Sequence, residues 1–317
     1  MRTAGIARGI PSPLFTVRVA GYAIDSNFAE ETRLPGFPIV DAHLHLWDPR
    51  LINYPWLAGN ALLEQPYLLE RHRQDFKDVE IEAMVFVQCE AEFPAFAREA
   101  DFAAEQARLD PRIKGMVAWA QLEKGSAVEA DIVQLKRHGI LRGIRRIIQF
   151  EDDPDFCLRP EFITGVRMLA DHGLSFDICI DHRHMSNILK FVEALPEVTM
   201  VLDHIGKPAI RDRLLQPWAS QMRELARLSN VFCKVSGVAT EASLDWTEDD
   251  IKPFVDVAFA EFGLERTMFG SDWPVMLGAI TPQRWITFLD AFLVSSEEID
   301  RRRFWRDNAI AVYRLDT

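Results

Sequence analysis

Ile39-Val40-Asp41-Ala42-His43-Leu44-His45-Leu46-Trp47-Asp48-Pro49 carries two histidines two residues apart at the end of an apolar run. In an extended chain, side chains at i and i+2 share a face, so His43 and His45 are predicted side by side at a strand terminus. Burying two imidazoles without partners leaves polar atoms unpaired, and a shared cation or polarised water removes that cost. A carboxylate in a similar setting lies far downstream, in Met268-Phe269-Gly270-Ser271-Asp272-Trp273-Pro274. Asp272 would also serve as a helix N-cap.

The stretches between these two explain how they meet. Short β-rich runs alternate with longer helical patterns from Pro38 onward. Strands are predicted at Pro38–His43, Ala83–Gln88, Lys114–Trp119, Leu141–Arg145, Ser175–Ile180, Thr199–His204, Val231–Ser236 and Thr267–Ser271. Helical spacing runs over Phe96–Leu109, Val128–His138, Phe162–His172, Ile188–Leu195 and Trp218–Leu228, with glycine stops at Gly139, Gly173 and Gly263. Eight such repeats imply parallel pairing and a closed (β/α)8 TIM-like barrel of α/β class. An open doubly wound sheet is the alternative. It is disfavoured because no G-x-G-x-x-G follows the first strand and because polar residues sit at nearly every strand's carboxyl end. In a closed barrel the last strand lies beside the first, which brings Asp272 to His43 and His45. Residues 1–36 lack a sustained period and read as an N-terminal extension with one short strand at Leu14–Ala20. Residues 37–317 read as a single barrel domain.

The 317 residues are 48% hydrophobic, enough for one large core, and carry a formal net charge of -12. That balance argues against nucleic acid as a partner. The Arg301-Arg302-Arg303 cluster reads as a solvated helix end. The four cysteines, Cys89, Cys157, Cys179 and Cys233, form no C-x-x-C pair and suit a reduced, cytoplasmic protein. No apolar stretch reaches the roughly 18 residues of a membrane span, and no secretory signal is evident. Association into a homo-oligomer is left open.

Taken in order, the strand ends present His43 and His45; Gln88, Glu90 and Glu92; Trp119 and Gln121; Arg145 and Arg146; Asp181, His182 and His184; Asp203 and His204; Lys234 and Ser236; and Asp272. Alternation lets only one of Asp203 and His204 face inward. His204 is the expected one, with Asp203 supporting a neighbour or pairing with a helix. One of Arg145 and Arg146 should face the pocket. Arg145 is expected to fork onto a substrate carboxylate or hydroxyls, or to pair with Glu90 or Asp181. Trp47, Trp56 and Trp273 either wall the pocket or belong to the core. Ser236 lacks a nucleophile elbow and reads as a hydrogen-bonding residue.

The combination His43-Leu44-His45-Leu46-Trp47-Asp48-Pro49, Asp203-His204-Ile205-Gly206-Lys207-Pro208 and Gly270-Ser271-Asp272-Trp273-Pro274 resembles the amidohydrolase superfamily, specifically its lactonase branch. That branch holds L-fuconolactonases, L-rhamnonolactonases, sulfomuconolactone hydrolases and 2-pyrone-4,6-dicarboxylate lactonases. Tyr54-Pro55-Trp56-Leu57, Leu141-Arg142-Gly143-Ile144-Arg145 and Lys234-Val235-Ser236-Gly237 add to the likeness, which covers Pro38 to the C-terminus. The resemblance implies hydrolysis of a sugar aldonolactone or a carboxylated muconolactone-type ring, as in carbohydrate catabolism. It places a metal or water site on His43, His45, His204 and Asp272, with Asp272 and His204 catalytic. It carries substrate contact onto Arg145 and Trp47; Gln88 and His182, at the ends of the second and fifth strands, are the further substrate-binding candidates, and His182 with His184 could instead bind a cation. The fifth strand offers no lysine to carbamylate, so one divalent cation, zinc first, is expected rather than two, with metal-free catalysis left open. A metal-dependent decarboxylase on the same barrel and a non-catalytic sugar-acid binding barrel are the other readings.

Overall fold

The computed structural model describes residues 34–317, so most of the 1–36 extension, including the strand expected at Leu14–Ala20, lies outside the described residues. Eight strands run in sequence order around one parallel sheet: β1 Ile39–Leu44, β2 Ile81–Val87, β3 Ile113–Ala118, β4 Leu141–Arg145, β5 Ser175–Ile178, β6 Met200–Leu202, β7 Val231–Val235 and β8 Thr267–Phe269. Each is followed by a helix: α1 Leu69–Asp75, α2 Phe96–Leu109, α3 Glu129–Lys136, α4 Pro160–Asp171, α5 Met185–Glu193, α6 Trp218–Leu225, α7 Glu248–Phe262 and α8 Pro282–Leu293. Two further helices, α9 Glu298–Arg302 and α10 Asn308–Tyr313, complete the chain. This is the (β/α)8 barrel that the alternation predicts.

The seam closes just past β8. Asp272 N–H donates to His43 O at 2.9 Å and His45 N–H donates to Trp273 O at 2.8 Å. Leu44 and Trp273 pair as parallel neighbours. The bonds that join the first and last strands therefore also bring Asp272 to the two histidines.

The core has two parts. Outside the strands, apolar helix faces cover the sheet. Inside, Val40, Ala42, Val85, Val117, Val201 and Met268 are modest in volume and leave room at the barrel floor. Val312, Tyr313 and Leu315 fill that space from α10 and the residue pair after it. Gly115 on β3 has no side chain where Leu315 packs, since an added Cβ would meet Leu315 Cδ2 at 3.0 Å. Lys114 Nζ donates to Asp316 O at 2.7 Å, and Arg142 Nε donates to Arg314 O at 3.2 Å. The C-terminus is thereby tied to β3 and β4. Among the described residues, no helix is long and apolar enough to cross a membrane.

Candidate active site and metal centre

A register irregularity between Asp41 and Leu44 sets the direction of the two histidines. Val40 and Ala42 line the barrel interior. Without the irregularity, His43 would turn outward; with it, His43 and His45 both face in. Asp41 points across the seam instead, accepting from Ser271 N–H at 2.9 Å, Ser271 Oγ at 2.6 Å and His43 N–H at 3.0 Å.

Four expected ligands converge. His43 Nε2 and His45 Nε2 lie 3.2 Å apart. Asp272 Oδ1 is 3.4 Å from His45 Nε2, 3.7 Å from His43 Nε2 and 3.9 Å from His204 Nε2. All four residues are buried. His45 Nδ1 lies 2.8 Å from Val87 O, which can only accept, so His45 Nε2 is bare. His43 Nε2 faces the donor-only Arg145 Nη1 at 3.3 Å, while Asp203 Oδ1 can accept from its Nδ1 at 3.3 Å. With His43 protonated on Nδ1, two bare nitrogens 3.2 Å apart would repel unless a positive charge lay between them; with Lys234 Nζ, 3.3 Å away, donating to that Nδ1, His43 Nε2–H would donate to His45 Nε2 instead. Ligand atoms around a tetrahedral zinc with bonds of about 2.0–2.1 Å are about 3.3 Å apart. His43, His204 and Asp272 form a compact triple, each offering a ligand atom within 4.8 Å of the others, and with His45 beside His43 and Asp272 the donor chemistry suits one zinc-like cation.

The strand ends are bent to reach this geometry. Seven non-glycine residues among those described have positive φ; five of them, Glu90, His204, Ile205, Lys207 and Asp272, follow β2, β6 and β8. Such conformations cost energy for branched residues such as Ile205, and they cluster where surrounding structure enforces them. Trp218 Nε1 grips Ile205 O at 2.9 Å. Gly237, at φ +58°, leaves room for the site: an added Cβ would lie 2.6 Å from His204 Nδ1 and 2.9 Å from Asp272 Oδ2.

The left-handed turn at His204 corrects the expectation that Asp203 and His204 must point to opposite sides. Alternation stops there, and both side chains enter the barrel. His204 Nδ1 meets Ser236 Oγ at 2.9 Å, which gives Ser236 its hydrogen-bonding place. Asp203 braces His43 and pairs with Arg145 Nη1 at 3.3 Å and Lys234 Nζ at 3.1 Å. Cys179 Sγ, Asp203 and His204 form a second compact donor triple, but the Asp203 carboxylate is already shared among those three partners.

Arg145 faces inward and Arg146 faces out to Glu123 and Glu151. Arg145 pairs with neither Glu90 nor Asp181. Its Nη2 donates to Gln88 O at 2.5 Å, and Asp181 instead binds Arg183 and His184. Gln88 is buried with its amide folded onto Glu90, Nε2 donating to Oε2 at 3.0 Å. His182 sits half-buried, Nδ1 3.3 Å from Lys207 O, away from the four converging residues. Trp47, expected to touch substrate, has no exposed surface, and its indole N–H is taken by Leu63 O and Gln65 O. It backs His45 at 6.3 Å between ring centroids. Trp273 is equally buried, donating to Asp75 Oδ2 at 2.9 Å. Trp56 is exposed and donates to Cys89 O.

Electrostatics separate the protonation states. Burial pushes the His43 and His45 imidazoles down and takes His204 to about 4, which favours their neutral forms. Burial alone would raise Asp272, but protons on the facing His204, His45 and His43 draw the carboxyl below the usual range, and a cation held there would do the same.

Glu99 of α2 is a different kind of acid. Its Oε1 accepts the Cys89 N–H at 2.9 Å beneath the site, and burial pushes it from 4.5 up to about 7. A carboxyl raised on folding destabilises once ionised. The cost is absent well below pH 4.5, grows as pH rises, and is complete above about pH 7. Glu99→Gln keeps the acceptor for Cys89. It is expected to stabilise the fold by up to about 3 kcal/mol at pH 8 and to leave stability at pH 4 little changed. Denaturant unfolding at the two pH values measures this.

The sequence model of the Amidohydrolase family matches residues 40–315. An L-fucono-1,5-lactonase of Burkholderia multivorans is 32% identical over 87% of this chain and 96% of its own. An L-rhamnono-gamma-lactonase of Scheffersomyces stipitis is 24% identical over 88% of this chain and 99% of its own. A crystal structure of an amidohydrolase from Burkholderia multivorans with bound Zn superposes with a TM-score of 0.81 at 31% identity, covering 88% of this chain and all of that one. Closed barrel, seam-borne ligand cluster and matched sequence agree: the chain belongs to the amidohydrolase family.

Proposed function

We propose that this protein is a lactonase that opens the ring of a sugar-acid lactone. The observation that carries the reading is the meeting of the His43, His45 and His204 imidazoles with the Asp272 carboxylate at the barrel mouth. His43, His45, His204 and Asp272 would hold one divalent cation, zinc first, which when bound supplies Lewis acidity toward a carbonyl oxygen.

The chain's own groups perform the proton work. Asp272 accepts a proton from water as the oxygen adds to the lactone carbonyl carbon. When the tetrahedral intermediate collapses, the ring C–O bond breaks. The departing alkoxide takes that proton back, giving a hydroxy acid. His204, held by Ser236, and Arg145, held by Asp203 and Gln88 O, aim donors or positive charge at the basin where oxyanion charge develops.

A neutral, hydroxyl-rich ring suits the rim better than a carboxylated one. The Arg145 guanidinium is spent on Asp203, His43 and Gln88 O. Lys207 lies 3.9 Å from Glu241, and Glu90 adds a further acid beside Gln88. The relatedness to L-fucono- and L-rhamnonolactonases supports the same choice. Four buried, unpaired thiols support a reducing, cytoplasmic setting.

A pH-indicator screen of sugar lactones and carboxylated muconolactones, with and without chelator, tests the proposal. Proton release from sugar lactones, lost on chelation and restored by zinc, is the expected result. Turnover only of carboxylated rings would overturn the substrate class. Release of CO2 from aromatic acids, with no lactone opened, would replace the reading with a decarboxylase.

A further inference from the structure

Glu90, just past β2, is a half-buried acid that the proton work does not use. Its backbone is left-handed, at φ +55°, a conformation that costs energy for a residue with a β-carbon and persists where the surroundings enforce it. Both ends of the Gln88 amide hold it there. Gln88 Oε1 accepts the Glu90 N–H at 2.6 Å, and Gln88 Nε2 donates to Glu90 Oε2 at 3.0 Å. Gln88 is fixed in turn: it is buried, its N–H donates to Val117 O at 2.9 Å, and its O accepts from Arg145 Nη2 at 2.5 Å. Glu90 Oε1 takes no part in this clamp. Two neighbours place the carboxylate over the barrel mouth. Against the cost of burial, the charges of Asp203 and Glu90 help keep the Arg145 guanidinium protonated, and that guanidinium stands 3.3 Å from His43 Nε2. Across the barrel, burial pushes the Cys179 thiol, just past β5, up to about 11, with Asp203 and Glu90 adding to the rise. An acid on β2 whose charge reaches both β4 and β5 lies above the basin.

A carboxylate oxygen can only accept, and a hydroxyl that donates to it makes a charge-assisted bond. A ring without hydroxyls offers it nothing, and a carboxylated ring brings a like charge toward it. The clamp fixes the acceptor before any ligand arrives, so little side-chain freedom is lost on binding. We propose that Glu90 is a specificity-determining residue: its Oε1 accepts a hydroxyl of a neutral sugar lactone, and its charge turns carboxylated rings away. This deepens the lactonase reading of the site and rests on it, and a binding arm of the test separates the two.

The test compares the wild type with Glu90→Gln on three rings: L-fucono-1,5-lactone, the lactone for which a relative is named; δ-valerolactone, of the same ring size without hydroxyls; and a carboxylated muconolactone. Glu90→Gln keeps an acceptor for Gln88 Nε2 and removes the charge. The kcat/KM for the sugar lactone, relative to δ-valerolactone, is expected to fall about 10- to 100-fold, the range for a hydrogen bond to a charged acceptor. The carboxylated ring should gain relative to both. A purely structural role would lower all three together and leave the ratios alone. Glu90→Asn, a residue type that tolerates left-handed backbone, removes the carboxylate in a second way and should move the ratios in the same direction. Ratios within about threefold of the wild type in either folded variant would overturn the proposal. Calorimetric titration with the matching lactams, in which a ring N–H replaces the ester oxygen, needs no turnover. Should the wild type open no lactone, the lactonase reading falls and the lactams decide alone. A preference for the hydroxylated lactam that Glu90→Gln loses would uphold the role of Glu90; equal affinity for the two lactams, or no binding, would end it.

Discussion

Asp272→Asn is expected to cut lactone turnover by about 10²- to 10⁴-fold while leaving the fold intact, the range lost with a positioned acid–base group. The choice of asparagine matters. Asp272 has φ +61°, a left-handed conformation that Asp and Asn tolerate better than other residues with a β-carbon. Alanine would add backbone strain to the chemical loss and confuse the two. Asn also preserves the Asp272 N–H to His43 O bond that closes the barrel seam. The amide cannot accept water's proton, so kcat should fall more than KM rises. Circular dichroism and thermal unfolding should overlay with the wild type. Turnover within tenfold of the wild type would show that Asp272 is not the base.

Much of this architecture is legible in the chain. β4 runs Leu141–Arg145 in both the pattern and the fold, and α2 spans Phe96–Leu109 in both. Apolar runs bounded by polar strand ends carry that information locally. Asp272 meets His43 because β8, paired with β7 on one side, closes on β1 on the other through the bonds just past its end. What strict alternation misses is its own interruption. The irregularity in β1 and the left-handed turn at His204 each change which side a residue faces, and neither has a simple period. Gly206, one residue past the turn at Ile205, is the available sequence hint for the second. The Asp177–Lys234 pair lies inside runs that read as apolar strand, in Ser175-Phe176-Asp177-Ile178 and Val231-Phe232-Cys233-Lys234-Val235. Opposite charges at two interior strand positions are a usable signal. The third member, Tyr313, arrives from 136 residues further along the chain than Asp177, and only the packed barrel floor shows it.

The same buried pair should dominate the stability of the barrel interior. Lys234 and Arg145 balance Asp177 and Asp203, so this set of charges is neutral and almost fully removed from water. Lys234→Met leaves two carboxylates facing one guanidinium, and breaking a buried pair from one side costs about 3–5 kcal/mol. Asp177→Asn leaves the opposite excess and should cost a similar amount. Removing both partners restores neutrality. The amide oxygen introduced by Asp177→Asn can still accept from one of Tyr313 and Ser175, with the amide NH2 turned to the other hydroxyl's oxygen, and the thioether chain introduced by Lys234→Met fills much of the lysine stem's volume. The double variant is therefore expected to lose less than the sum of the two single losses, with a favourable coupling of about 2–3 kcal/mol in a double-mutant cycle by denaturant unfolding. Simple addition of the two losses would mean that solvent reaches the barrel floor and screens the charges there. A strong coupling would show that the two charges hold each other across a barrel floor from which solvent is excluded.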